Sequence, residues 1–281
     1  MPQRQEFANK RVVVTGAASG IGRAIAESFA RGSADLWVCD LPTADLPQLE
    51  ADLLRAGATS ARARPVDVGS RAAMEAFRDE VCRERPPDVL VNNAGVGLAG
   101  GALATSLDDW EWLVNVNLWG VVHGCHFFAP KMAQCRRGQI VNIASAAGFY
   151  NSEAMTAYGT TKYAIVGLSE GLREELAPHG VGVSVVCPGF INTQIVANMR
   201  LRGDAYPESA RSGVQRFYES RNYAPERVAA AVLRAVRNDT PLLPVTPEAW
   251  ALYLLKRAAP NLTRRLLAMG KPLIDAPGRR P

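Results

Sequence analysis

The chain has 281 residues, 48% apolar and 21% charged, a balance that fits a globular protein with one large core and excludes disordered or fibrous classes. No apolar run approaches the ~20 residues of a membrane span, and "MPQRQEFANKR" lacks the apolar stretch of a secretory signal, so a cytoplasmic location is expected. The net charge of +5 lies in the tail: between Pro244 and Pro281, Lys256, Arg257, Arg264, Arg265, Lys271, Arg279 and Arg280 stand against only Glu248 and Asp275, and the balanced remainder argues against a nucleic-acid surface.

The predicted elements alternate along the chain. "RVVVTG" (11 to 16) reads as a buried strand and is followed by a helix from Ile21 to Arg31. "DLWVCD" (35 to 40) precedes a helix from Leu46 to Ala56, and "ARARPVDV" (61 to 68) precedes one from Arg71 to Arg85. "DVLVNNAG" (88 to 95) leads to one long helix, Leu107 to Cys135; "GQIVNIAS" (138 to 145) leads to Ala157 to Ala177. "VGVSVVCPG" (181 to 189), an irregular stretch from Asn192 to Tyr223, a helix from Pro225 to Asn238 and "TPLLPV" (240 to 245) complete the pattern. Alternation of this length means a doubly wound parallel sheet with helices on both faces. The 192 to 223 stretch fits neither period and reads as a lid insertion.

Ligands of such a sheet bind beyond the carboxyl ends of its strands, and nearly every strand delivers a polar or turn-forming group there. The first ends in "TGAASGIG", where Gly16, Gly20 and Gly22 allow a tight turn, close approach to a pyrophosphate and a helix N-terminus that favours anions. The second ends in Asp40, eighteen residues after Gly22, placed to accept ribose hydroxyls and to repel a 2'-phosphate. Neither Ser19 nor Leu41 offers a phosphate-binding cation, although Arg23 follows the loop. The third delivers Asp67, the fourth Asn92 to Gly95, the fifth Ser145, the sixth Pro188 and Gly189. In "AYGTTK", Tyr158 and Lys162 are four apart, so on a helix they address one small volume.

Read together and in order, "TGAASGIG", "NNAG", "VNLWG", "NIASAAG", "YGTTK" and "PGFINT" resemble the short-chain dehydrogenase/reductase family from about Lys10 to Val245. The resemblance implies a Rossmann-type fold with a seven-stranded parallel sheet, and a catalytic set of Asn117, Ser145, Tyr158 and Lys162. Asn115 competes with Asn117, and only the "VNLWG" context chooses between them. Cofactor contacts are expected at Gly16, Ser19, Gly20, Ile21, Gly22, Asp40, Asp67, Val68, Asn93, Ala94, Gly95, Tyr158, Lys162, Pro188, Gly189, Ile191 and Thr193. Substrate contacts are expected at Ser145, Ala147, Tyr150, Tyr158 and Phe190, with Val96, Gly97, Phe149, Met155 and the 192 to 223 insertion as further, mostly apolar walls.

The expected activity is interconversion of an apolar secondary alcohol and a ketone with NAD(H), NADP being the less favoured cofactor. An NADPH-dependent carbonyl reductase is the nearer alternative; a cofactor-binding scaffold without turnover is the remoter one, and it predicts a damaged tetrad, whereas all four positions are filled. A free phenol ionises near pH ~10, so Lys162 and an oxidised nicotinamide are expected to make Tyr158 more acidic. The lid arginines, Arg200, Arg202, Arg211, Arg216 and Arg221, could meet an acidic substrate but are read as solvated.

The widely spaced Cys39, Cys82, Cys125, Cys135 and Cys187 read as buried free thiols, and no His or Cys pattern suggests a metal. One domain is expected over residues 1 to 247, followed by a basic amphipathic extension over 248 to 281. That tail, with Trp250, Tyr253 and Leu254 on one stripe and Leu262, Leu266 and Met269 on another, is expected to dock on the body or a sister subunit, the alternative being an anionic membrane surface. A homodimer or homotetramer is expected from the family.

Overall fold

The computed structural model describes residues 5–193, 195–203, 209, 211–221 and 223–269. The strands are β1 (Arg11–Thr15), β2 (Asp35–Asp40), β3 (Ser60–Pro65), β4 (Val89–Asn92), β5 (Leu98–Ala99), β6 (Gly138–Ile143), β7 (Val181–Cys187), β8 (Arg200–Leu201) and β9 (Leu242–Pro244). Seven of them form one parallel sheet in the order β3-β2-β1-β4-β6-β7-β9, and β5 pairs with β8 in a small parallel ribbon of its own. The order reverses between β1 and β4, which opens a crevice at their carboxyl ends, beside Gly16 and Asn93.

The helices are α1 (Gly20–Arg31), α2 (Leu46–Ala56), α3 (Arg71–Val81), α4 (Leu107–Val114), α5 (Gly120–Gln134), α6 (Thr156–Leu176), α7 (Ile195–Asn198), α8 (Arg211–Arg221), α9 (Pro225–Asn238), α10 (Pro247–Ala258) and α11 (Pro260–Met269). Strand residues alternate between the two faces. Val12, Val14, Leu36 and Val38 pack with Ile25 and Phe29 of α1, Leu49 and Leu53 of α2, and Val228 and Val232 of α9. Val13, Leu90, Ile140 and Val183 pack on the other face with Met74 and Phe77 of α3, Phe128 and Met132 of α5, and Ile165 of α6. Burial on both faces is why these strands read as unbroken apolar runs.

Three departures from the sequence reading concern the cleft. The single helix expected from Leu107 to Cys135 is interrupted by a π turn, Asn115–Trp119, between α4 and α5. The irregular 192 to 223 stretch contains α7, β8 and α8. The third and fourth strands stop at Pro65 and Asn92, so Asp67, Val68 and Asn93 to Gly95 lie in the loops beyond. Cys39, Cys125 and Cys187 are buried free thiols, but Cys135 is exposed. No helix among the described residues is long and apolar enough to cross a membrane.

Of the tail's expected stripe only Tyr253 packs inward, its ring 5.0 Å from that of Phe149. Trp250 and Leu254 are 41% and 57% exposed. The residues beyond Met269, with Lys271, Arg279 and Arg280, lie outside the described part, as do the side chains of Leu266 and Met269.

Candidate active site

The glycine loop joins β1 to α1 through a tight left-handed turn. Gly16 has φ +65°, and a Cβ there would stand 2.8 Å from the Ala94 Cα; at Gly22 it would meet the Gly16 carbonyl at 2.0 Å. Both positions therefore require glycine. Asn93 stitches this loop to the end of β4: its Nδ2 donates to the carbonyls of Thr15 (2.9 Å) and Gly16 (3.1 Å), and the amides of Asn93 and Ala94 donate to the Thr15 hydroxyl. Ser19 is the N-cap of α1 but its side chain makes no cap bond, which leaves the first amides of the helix as donors for an anion.

Asp40 fastens to the same loop, its two oxygens accepting from the amides of Ala18 and Leu41, each at 2.8 Å. Its remaining lone pairs are acceptors for hydroxyls. Arg23, the one cation that left NADP open, is committed to Glu27 (3.0 Å) and Asp52. Asp67 turns its carboxylate back to the Gly69 amide (2.9 Å), and Val68 is buried against Gly120 of α5. Ile191 is buried in the core under α1, whereas Thr193 faces Gly20, where a Cβ would lie 3.4 Å from it. Gly189 is overlain by Thr246 and Glu248 at the start of α10, and the Phe190 amide donates to Glu248.

Across the crevice, α6 carries Tyr158 and Lys162, 8% and 5% exposed, on its inner face with Thr161, Ile165 and Ser169. The spacing of one helical turn brings the Lys162 Nζ to 5.6 Å from the centre of the Tyr158 ring, and that ammonium donates to the Ile143 carbonyl at 3.2 Å. Ser145, at the end of β6, lies within hydrogen-bonding reach of the Tyr158 phenol. Burial pushes the phenol up from its ordinary value, and Ser145 works against that rise. Burial also pulls Lys162 down to about 8, with the nearby Cys187 thiol opposing. The expected acidification of Tyr158 is therefore not a property of the protein's own groups: desolvation of a buried anion outweighs the neighbouring hydrogen bond.

The π turn sends the two asparagines to different places. Asn117 is fully buried; its Oδ1 accepts from the Val96 amide (2.8 Å), and its Nδ2 donates to the Val96 carbonyl (3.0 Å) and to Thr161 on α6 (3.3 Å). Asn115 is exposed and packs against Gly69 at the far end of the crevice. A Cβ on Gly95 would stand 3.2 Å from the Asn117 Oδ1 and 3.6 Å from the Lys162 Nζ, so an unbranched backbone passes between these groups. An inserted turn of this kind is frequent at functional sites.

Four candidate residues, Asn117, Ser145, Tyr158 and Lys162, thus share one buried corner. Ala147 joins an apolar cluster there with Leu98, Leu113, Ala157, Val96 and Met155. Tyr150 is half-buried in the loop after Ser145, its amide donating to the Ala146 carbonyl at 3.2 Å. Phe149 is no wall of this corner: it points into the core under α10. Sequence reasoning offered the insertion as a wall but did not single out Tyr218 of α8, whose ring meets Phe190 edge-on at 5.3 Å and whose phenol is pushed up by burial and, after it, by the charge of Tyr158. Tyr218 also lines, with Gly20, Asn192 and Thr193, a cavity of about 330 Å³ between the glycine loop and the insertion. No group of three metal-ligating side chains occurs among the described residues.

A crevice at the switch point of a doubly wound sheet, a glycine loop on a helix N-terminus and a buried Tyr-Lys pair define a nucleotide-dependent oxidoreductase architecture. The short chain dehydrogenase profile matches residues 10–203, and the chain belongs to that family, whose members use a nicotinamide cofactor. It is 38% identical over 267 residues to the probable oxidoreductase EphD of Mycobacterium tuberculosis, covering 93% of this chain and 45% of that protein. The chain therefore spans about half the length of that relative. A crystal structure of a short chain dehydrogenase/reductase from Burkholderia phymatum in complex with NAD is 33% identical with a TM-score of 0.82, over 92% of this chain and 96% of that one. A short-chain dehydrogenase from Sphingobium yanoikuyae in complex with NADPH is 26% identical with a TM-score of 0.75, over 96% and 98%.

Proposed function

We propose that the protein interconverts a secondary alcohol and a ketone with NAD(H), and that Tyr158 moves the proton. The observation that carries this reading is the buried pair itself: a phenol and an ammonium on one helical face, with the Ser145 hydroxyl at the phenol. The free amides of α1, the Gly16 and Gly22 cradle and the Asp40 carboxylate fit a dinucleotide, and the bound nicotinamide would supply or accept the hydride. The residues of this chain do the rest. In oxidation Tyr158 takes the proton of the substrate hydroxyl; in reduction the phenol returns it. Ser145 donates a hydrogen bond to the substrate oxygen as charge develops on it. Lys162 together with a bound oxidised nicotinamide would favour the phenolate that oxidation needs, and Asn117 ties the Val96 backbone to α6 so that the corner keeps its shape.

Because burial holds the phenol protonated, the protein's own groups favour the acid form that ketone reduction needs. NAD over NADP rests on Asp40, whose charge repels a 2'-phosphate, and on Arg23 being paired elsewhere. The apolar cluster around Leu98, Val96, Ala147 and Met155 suits an apolar substrate. A homodimer or homotetramer accords with Trp119, which is half exposed on the outer face of the π turn and stacks on His123 at 5.8 Å.

The test is a panel of secondary alcohols with NAD and NADP, followed by absorbance of the reduced cofactor, beside fluorescence titrations of NADH and NADPH. Turnover with NAD that disappears in Tyr158→Phe supports the reading. Tighter binding of NADPH transfers it to the carbonyl-reductase alternative. Cofactor binding without turnover, unchanged by Tyr158→Phe, makes the protein a scaffold.

A further inference from the structure

Arginines in an irregular surface stretch are ordinarily solvated. Two at the base of the 192 to 223 insertion, though 39% and 38% exposed, are instead paired with one buried carboxylate. Arg200 donates Nη1 to the Asp109 Oδ1 at 2.9 Å; Arg202 donates Nε to Oδ2 at 2.5 Å and Nη2 to Oδ1 at 2.9 Å. Asp109 sits on the first turn of α4, 3% exposed, where it also closes a cap with Ser106: its amide donates to the Ser106 hydroxyl, which donates back to Oδ2 at 3.0 Å. The hydrogen bonds from Arg202 and Arg200 hold this carboxyl down at about 2, against its burial. A carboxylate this deep is costly without its cations, so the site commits the insertion to one position. The guanidinium of Arg200 in turn lies 3.7 Å from the centre of the Trp112 ring, one turn further along α4.

The backbone repeats the commitment. The amides of Arg200 and Arg202 donate to the carbonyls of Gly97 and Ala99, and β5 pairs with β8. Gly100 is required by this approach, since a Cβ there would lie 2.9 Å from that of Arg202. From the clamp, contact runs to α8 through Arg211, which donates to the carbonyls of Ala197 (2.8 Å) and Met199 (3.1 Å) at the end of α7. The far end of α8 brings Tyr218 edge-on to Phe190 and onto the cavity beside Gly20 and Thr193, with Tyr158 near enough to act electrostatically on its phenol.

We propose that Asp109 is a positioning residue: by gripping Arg200 and Arg202 it fixes the insertion so that Tyr218 forms the substrate wall opposite Tyr158. The inference rests on the alcohol dehydrogenase reading for its kinetic arm alone. Sequence pattern does not reveal it, because the partners are 91 and 93 residues apart.

Hydrogen exchange by mass spectrometry tests the clamp without any substrate. Asp109→Asn should speed exchange about tenfold in peptides covering residues 195–203 and 211–221 while β1, β6 and α6 keep their protection. Asp109→Glu should restore much of it, and Leu107→Ala, on the exposed side of the same helix, should change nothing. With the alcohol panel and NAD, Asp109→Asn and Tyr218→Ala should each raise KM about tenfold while kcat stays within about threefold, Tyr218→Ala leaving the exchange at the clamp unchanged. Unchanged exchange in Asp109→Asn overturns the proposal. So does faster exchange spread equally through α4, the π turn and α6, which would make Asp109 a general support of the fold. If no alcohol is turned over, the exchange result still decides the clamp, and only the reaction assignment falls.

Discussion

On the α6 side of the cleft, uncharged side chains bind the helix to the sheet. Asn92 of β4 donates to Asn142 of β6 at 2.8 Å, and Asn142 donates to Ser169 of α6 at 3.0 Å, all three buried. On the opposite side, the insertion is bound by the charges of Asp109, Arg200 and Arg202 and by a ribbon two residues wide. Neutral buried hydrogen bonds do not respond to pH or salt, and they fix one helical register. A cluster of ion pairs, by contrast, can be rebuilt around a loop of different length or composition without disturbing the sheet. On the proposed mechanism, the wall that moves the proton is thus the mechanically fixed one, and the wall proposed to face the substrate opposite it hangs on a separable clamp.

The comparison is tested most severely by Tyr158→Phe, which removes one oxygen from the fixed wall. On the proposed mechanism turnover should fall by about a thousandfold or more, since general acid-base catalysis supplies roughly 10² to 10⁴. NADH affinity, read by fluorescence titration, should stay within about twofold, because the ring and its packing remain. A residual rate near that of the parent would mean that another group moves the proton.

Next in size, Asn142→Ala should destabilise the protein by about 2 to 4 kcal/mol in a urea titration, through a cavity and through the loss of partners for Asn92 and Ser169. The same change at a solvated asparagine costs under about 0.5 kcal/mol. An effect that small at Asn142 would remove the distinction between the two walls.

A third effect separates them by pH. Lys162 has its value lowered by burial to about 8, so its charge is complete below that pH and is lost as pH rises through it. Ketone reduction should therefore fall about tenfold near pH ~9 in steady-state assays. Tyr158, whose value is raised, remains the protonated acid through this range, and Asp109, held at about 2, remains the charged anchor. Neither contributes to the slope. A fall that begins only above pH ~10 would assign it to the phenol instead.

The fixed wall was also the legible one. Runs such as "RVVVTG" and "GQIVNIAS" are buried on both faces, so their apolar content is continuous, and the groups at their ends, Gly16, Asn93 and Ser145, follow by position alone. Tyr158 and Lys162 could be paired because helical spacing is local information. The π turn could not be read, because Asn115 to Trp119 suit an ordinary helix, and the turn exists to set Asn117 against Val96 and Thr161, contacts 21 and 44 residues away. The clamp was invisible for the same reason on a longer scale. Ser106 and Asp109 do show a capping pattern in sequence, yet nothing local says that the acid turns to Arg200 and Arg202. Tyr218 lay in a stretch whose period matched no element, so its approach to Phe190 had no signal.

The smallest expected effect concerns the support beneath the fixed wall. The ring of Tyr253 on α10 rests on Phe149, and Lys256 of the same helix donates to the Tyr163 hydroxyl, which donates to the Phe149 carbonyl. These contacts hold the loop that begins with Ser145. Tyr253→Ala should cost about 1 to 2 kcal/mol of unfolding free energy and lower kcat with it, since on the proposed mechanism that loop presents Ser145 to the substrate oxygen. Leu254, next to it but 57% exposed, has no such load, and Leu254→Ser should change stability by less than about 0.5 kcal/mol. Were Leu254→Ser the costlier of the two, the outward stripe of α10 would be covered in solution by a second copy of the chain. Sedimentation of that variant, with the mass falling from an oligomer to a monomer, would show it, and the fixed wall would then owe part of its rigidity to assembly.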